Sequence, residues 1–139
     1  RDDAERAQHA GVVVGDGLHA RNSNVRRLDE VKPHDQILDI GPETEAIFGA
    51  AIDDAGTVIW NGPVGYMENP VFKRGTDFLY YAITKNPDVI SVVGGGDTLA
   101  AIAHKDYLEK ITHISTGGGA MLEFIENGTL PGIEVLKKS

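Results

Sequence analysis

Apolar residues fall into short runs along this chain, separated by polar or glycine-rich breaks, and the spacing inside each run separates strand from helix. Gly11-Val12-Val13-Val14-Gly15 is a valine run bounded by glycines, which predicts a buried strand of the kind found in a sheet covered on both faces. His19 to Lys32 is charged, with Arg21, Arg26 and Arg27 against Asp29 and Glu30; the signs largely cancel, as in a solvated connector. Gln36 to Ile40 predicts a second strand, ended by Gly41-Pro42. A helix from Glu43 to Asp54 follows, with Ala46, Ile47, Ala50 and Ala51 at helical spacing. Thr57 to Trp60 reads as a third strand and Asn61 to Gly65 as a turn. From Pro70 a helix with Val71, Phe78, Leu79, Ala82 and Ile83 on one face runs to the stop at Asn86-Pro87. Two further strand-to-helix units follow, Val89 to His104 and His113 to Glu126. The alternation of strand and helix predicts a parallel α/β sheet.

Those last two units carry the candidate chemistry. Val89 to Val93 runs into Gly94-Gly95-Gly96, and Asp97-Thr98 opens a short apolar-periodic segment. His113 to Thr116 runs into Gly117-Gly118-Gly119 before a helix-spaced segment from Ala120. Glycines let backbone approach a ligand closely, and the amides of a helix's first turn point at whatever anion sits there. Two such turns barely twenty residues apart predict two helix N-termini at one edge of a parallel sheet, sharing one highly charged ligand. A carboxylate at Asp97 would repel that anion unless a cation bridges them, typically magnesium held by one or two carboxylates and phosphate oxygens. The competing reading of Asp97 is a plain helix cap. Asn61, Gly62, Pro63 and Glu68 follow the end of another strand, where ligands of open α/β sheets bind. Asn61 can donate and accept, Pro63 offers an apolar platform, and Glu68 can accept from two ribose hydroxyls. Alternatively these residues are turn punctuation and an exposed carboxylate.

Composition narrows the classes. With 139 residues the chain fits one modest domain, and a net charge of −8 disfavours a nucleic-acid partner, which would want a basic face. No cysteine is present, so disulfides and thiolate metal sites are excluded. No apolar run is long enough to span a membrane, and the start lacks a signal-peptide pattern. The opening Arg1-Asp2-Asp3, without methionine, suggests a fragment or processed product. Walker-type and dinucleotide glycine motifs are missing, the five histidines lack zinc-helix spacing and read as surface or packing residues, and Ser115 has no hydrolase frame.

Trp60-Asn61-Gly62-Pro63-Val64-Gly65 with Glu68, Gly94 to Thr98, Ser115 to Ala120 and Leu130-Pro131-Gly132 resemble, in order and spacing, the signatures of the phosphoglycerate kinase family. Leu38 to Pro42 and Val12 to Val14 resemble its preceding elements, so the likeness covers nearly the whole chain. It implies that residues 1–139 are part of the family's C-terminal, nucleotide-binding domain, an incomplete Rossmann-like three-layer parallel sheet with helices on both faces. The implied reaction moves a phosphoryl group between 1,3-bisphosphoglycerate and ADP, giving 3-phosphoglycerate and ATP, with Mg2+. By resemblance, Glu68 binds ribose, Asn61 and Pro63 form the nucleotide-contacting turn, and Leu38 walls the adenine pocket. Asp97 then holds the magnesium of the nucleotide and Thr98 contacts phosphate, while Gly95, Gly96, Gly118 and Gly119 face the transferring phosphoryl group.

Two positions depart from the family pattern. Met67 stands where an aromatic residue commonly precedes the ribose glutamate, and Ile37 where a small residue or methionine often lines the adenine pocket; both are apolar exchanges that alter fit. The family's phosphoglycerate-binding N-terminal domain and its Gly-Ala-Lys segment have no counterpart in these residues, so the isolated chain is expected to be inactive. The resemblance and the lack of targeting signals imply a cytoplasmic, monomeric parent enzyme, with neither nucleic acid nor membrane as partner. A non-enzymatic nucleotide-binding or assembly module is the alternative, self-associating through a sheet edge.

Overall fold

The structure, a computed structural model, describes residues 11–137. Arg1 to His9 lie outside the described residues.

Two small sheets share the work. In the first, β1 (Gly11–Gly15) is central, flanked by β2 (Asn24–Arg27) and β3 (Gln36–Ile40), both antiparallel to it. The second is parallel, in the order β4 (Thr57–Asn61), β5 (Ile90–Gly94), β6 (His113–Ser115). Helices α1 (Pro42–Asp54), α2 (Arg74–Thr84), α3 (Gly96–Ile102) and α4 (Gly118–Asn127) each follow a strand, and α5 (Pro131–Lys137) ends the described chain. The α/β class, the parallel sheet and its helices are therefore as the pattern predicts.

The first sheet corrects two details of that prediction. The valine strand and Gln36–Ile40 do not lie in the parallel sheet, and the connector that reads as solvated contains β2. Parallel neighbours need a crossover of a dozen or more residues, whereas the chain between β1 and β2 is too short to form one. β2 escapes notice because it is an edge strand whose residues are mostly exposed, so no apolar alternation marks it. The Arg26 guanidinium reaches Asp35 at 2.7 Å across the β2–β3 connection. The helix expected from Pro70 begins at Arg74, after a 3-10 turn (Pro70–Phe72) that buries Phe72 completely against Gly15. Val71 is thus displaced by Phe72 as the anchoring residue.

The main core gathers Ile52 of α1, Leu79, Tyr80 and Ile83 of α2, Ile102 of α3, and Trp60 and Val93 of the parallel strands. Leu79, Ala82 and Ile83 come from the stripe predicted for α2. Area removed from water stabilises by about 25 cal/mol per Å2, so fully buried Tyr80 and nearly buried Trp60 dominate here. Tyr80 keeps its hydroxyl satisfied by donating to the Asp106 carbonyl. Among the described residues no helix is long and apolar enough to cross a membrane.

Candidate functional site

Strand register sets the site. Asn61 is level with Gly94, and Gly94 with Ser115, so the carboxyl ends of all three parallel strands reach one edge together. From that edge α3 and α4 begin, each after a glycine turn. The Leu99 amide bonds the Gly95 carbonyl at 3.0 Å and the Met121 amide the Gly117 carbonyl at 2.7 Å, which leaves the amides of Gly96 to Thr98 and of Gly118 to Ala120 outside the helical ladders. Their partial positive ends suit an anion.

The two turns touch. A Cβ placed on Gly118 would stand 2.6 Å from the Gly95 nitrogen and 2.7 Å from its Cα, and closer still to Asn61 Oδ1. A Cβ on Gly95 would lie 2.6 Å from the same Asn61 oxygen. Gly95 also has φ +94°, a conformation that other residues avoid. Asn61 therefore fills the junction between the turns, and glycine is required at both contacts. Gly96 and Gly119 have nothing within 4 Å of a Cβ, so they face open space.

Around this junction the candidate side chains divide. Asp97 is exposed in the first turn of α3 and makes no capping hydrogen bond, contrary to a plain helix cap. Thr98 is fully buried, and its hydroxyl accepts from the Gly62 amide at 2.7 Å, which joins the start of α3 to the turn after β4. Trp60 secures the same turn by donating its indole N–H to the Gly62 carbonyl at 2.7 Å. Pro63 is half-buried beside it.

Glu68 lies further along, in a cleft of about 560 Å3 walled by Leu18, His19, Arg21, Tyr66 and Asn69. The Asn69 side-chain amide donates to the Leu18 and Ala20 carbonyls, each at 2.9 Å, pinning the loop after β1 against the glutamate's turn. Sequence reasoning missed Leu18, His19 and Arg21, because nothing local signals that a loop fifty residues upstream forms this wall. The Leu38 carbonyl accepts from the Tyr66 amide at 2.8 Å, which brings half-buried Leu38 alongside the same segment. Next to it, Asp39 is buried, accepting from the Gly75 and Ile40 amides at 2.9 Å each. Burial pushes its carboxyl above the usual range; the two amides oppose that shift, and Glu45 and Asp77 add to it. Ile37 is half-exposed. Of the histidines, His19, His34, His104 and His113 are exposed.

The family model of phosphoglycerate kinase matches residues 7–128. The chain belongs to the phosphoglycerate kinase family. It is 46% identical over 128 residues to the phosphoglycerate kinase of Nitratidesulfovibrio vulgaris (strain DSM 19637 / Miyazaki F), covering 91% of this chain and 32% of that protein. The structure of phosphoglycerate kinase from Coxiella burnetii superposes with a TM-score of 0.81 at 39% identity, covering 93% of this chain and 33% of that one. The enzyme from Pyrococcus horikoshii OT3 gives 0.75 at 33% identity, covering 92% and 31%. The chain thus spans about a third of the length of these phosphoglycerate kinase relatives.

Proposed function

We propose that this chain is part of the C-terminal, nucleotide-binding domain of a phosphoglycerate kinase and supplies most of its Mg-nucleotide half-site. The reaction would be phosphoryl transfer between 1,3-bisphosphoglycerate and ADP, giving 3-phosphoglycerate and ATP. One observation carries this reading: two glycine turns in contact at the aligned ends of parallel strands, each opening a helix. The amides of Gly95, Gly96, Gly118 and Gly119 face the transferring phosphoryl group, whose charge they stabilise without a covalent intermediate. Glu68, which has no protein partner among the described residues, accepts from the ribose hydroxyls in its cleft. Leu38 walls the adenine side, and Asn61 and Pro63 shape the turn beneath the phosphates. The Thr98 hydroxyl accepts from the Gly62 amide, which leaves its own O–H and the Thr98 backbone amide as the donors it offers to phosphate.

The donor set fits magnesium carried with the nucleotide. Asp97 offers an exposed, unpaired carboxylate beside the first-turn amides. A cation there would be held jointly by this one carboxylate and phosphate oxygens. Bound there, magnesium would neutralise charge on the β- and γ-phosphates.

Phosphoglycerate would bind to a separate N-terminal domain, and transfer would need the two domains to close and expel water. On this reading the isolated chain is inactive, and the intact enzyme works as a cytoplasmic monomer. The test is Asp97→Asn in the intact enzyme: turnover should fall steeply and its magnesium dependence should weaken. Near-normal turnover at limiting magnesium would contradict the assignment.

A second reading, an assembly module, draws on β4, which pairs along one edge only among the described residues, with Ile59 and Ile90 half-exposed beside it. Sedimentation separates the two: a nucleotide-independent dimer that binds no ADP would favour assembly.

A further inference from the structure

A cavity of about 680 Å3 opens at the opposite end of the parallel sheet from the glycine turns. Val89 and Thr112, which immediately precede β5 and β6, form its floor; Tyr81 and Lys85 from the end of α2 and Tyr107 and Lys110 from the segment after α3 form its walls. Its size falls within the range of small-molecule pockets, roughly 300–1,000 Å3.

Three features of this wall have no structural explanation in common. First, the chain carries 21 acidic against 13 basic residues, yet the cavity is lined by two lysines and no carboxylate. Asp88, Asp106 and Glu109 are chain neighbours of the wall and are exposed, but none lines it. Neither Lys85 nor Lys110 forms an ion pair with another described residue, in contrast to Lys105, which is bound to Asp77. Second, Tyr81 and Tyr107 are 47% and 54% exposed, and neither hydroxyl has a hydrogen-bond partner among the described residues. Third, Tyr107 has φ +67°, the one described non-glycine residue with positive φ. Bulky side chains avoid that region, so a strained backbone here holds an aromatic ring at the mouth of a cavity, where apolar packing gives it little in return. Local structure accounts for part of the wall: the Lys85 backbone amide caps the end of α2, Tyr81 packs edge-on against Tyr80 with the Lys105 ammonium 5.4 Å from its ring centre, and the Tyr107 carbonyl accepts from the Lys110 amide at 2.9 Å. None of these contacts engages the Lys85 or Lys110 ammonium or either tyrosine hydroxyl.

We propose that this cavity is a second ligand site, for a small planar aromatic anion, with the rings of Tyr81 and Tyr107 taking the aromatic body and the ammonium groups of Lys85 and Lys110 taking the negative group. Aromatic faces and unpaired cations together recognise such a ligand, where either alone would be weak. The site lies at the opposite end of the sheet from the glycine turns, so it is independent of the nucleotide reading.

The test is titration of the full chain with phenyl phosphate at constant ionic strength, followed by amide NMR shifts of Lys85, Tyr107 and Lys110. Saturable shifts with a dissociation constant of about 1 mM are expected, the scale for a ligand of this size. Inorganic phosphate and phenol alone should bind at least about fivefold more weakly, and saturating MgADP should not displace the probe. Lys110→Gln should weaken binding about three- to fivefold, the range of an exposed ion pair. Tyr107→Gly should weaken it as much while leaving the melting temperature unchanged or higher, because glycine tolerates the positive φ. Four results would overturn the proposal: no saturable shift, equal binding of phosphate or phenol alone, displacement by MgADP, or affinity unchanged in both variants.

Discussion

The Thr98 hydroxyl accepts the Gly62 amide at 2.7 Å, so a buried side chain from the first turn of α3 holds the backbone of the turn after β4. This bond ties the glycine turn carrying Asp97 to the turn carrying Asn61 and Pro63. Thr98→Val keeps the shape but leaves a half-buried N–H without its acceptor, at a cost of about 1–3 kcal/mol. Urea denaturation should show that loss, whereas Thr98→Ser should recover most of it. Equal stability of the valine and wild-type chains would mean that the bond contributes nothing.

Gly118 and Gly119 are adjacent, yet only the first is sterically confined. Gly118→Ala would force its methyl into Gly95 and Asn61, and a destabilisation of about 2 kcal/mol or more is expected, comparable to overpacking elsewhere. Gly119→Ala meets open space and should leave the melting temperature within a few degrees of wild type. If phosphate approaches there, it should still lower nucleotide affinity. Thermal melts of the pair, with and without MgADP, separate the two effects.

Asp39 gives a pH dependence of definite sign. Its folded-state pKa is raised, chiefly by burial, so the folded chain holds this proton more tightly than the unfolded chain does. Its contribution is therefore most favourable below the unfolded value and is lost as pH rises through the folded one. Asp39→Asn does not titrate. The stability of wild type relative to this variant should thus fall as pH is raised from about 4 towards 7, read by urea midpoints. A difference that rises over that range would contradict the burial argument.

How much of this was legible beforehand follows from where each signal resides. The parallel strands and their glycine turns were readable because alternation, β-branched runs and Gly-rich breaks are local. The contact between Gly95 and Gly118 was only implicit: parallel order places both turns at one edge, but their steric dependence on Asn61 arises from register. The antiparallel sheet was hidden because β2 is an exposed edge strand with arginines at Arg26 and Arg27. The Glu68 cleft was hidden for the same reason, since one of its walls is the loop that joins β1 to β2, held by Asn69. The burial of Thr98 could not be anticipated from its place at a helix start, where threonine ordinarily caps.

Glu68→Ala removes a carboxylate that has no structural partner among the described residues. Stability should be unchanged within about 0.5 kcal/mol, as for an ordinary surface substitution, while ADP affinity falls about tenfold if hydroxyls of the ribose are its partners. Calorimetric titration with ADP and with adenosine-free tripolyphosphate distinguishes the ribose contact from a general charge effect: only the former should weaken.

The central claim is that Asp97 and the paired glycine turns hold a magnesium nucleotide. Its most direct test is calorimetric titration of the chain with ADP, with and without magnesium, alongside Asp97→Asn. Saturable binding that requires magnesium and is weakened in the variant is predicted. Binding of the same strength without magnesium, or unaffected by Asp97→Asn, would contradict the account.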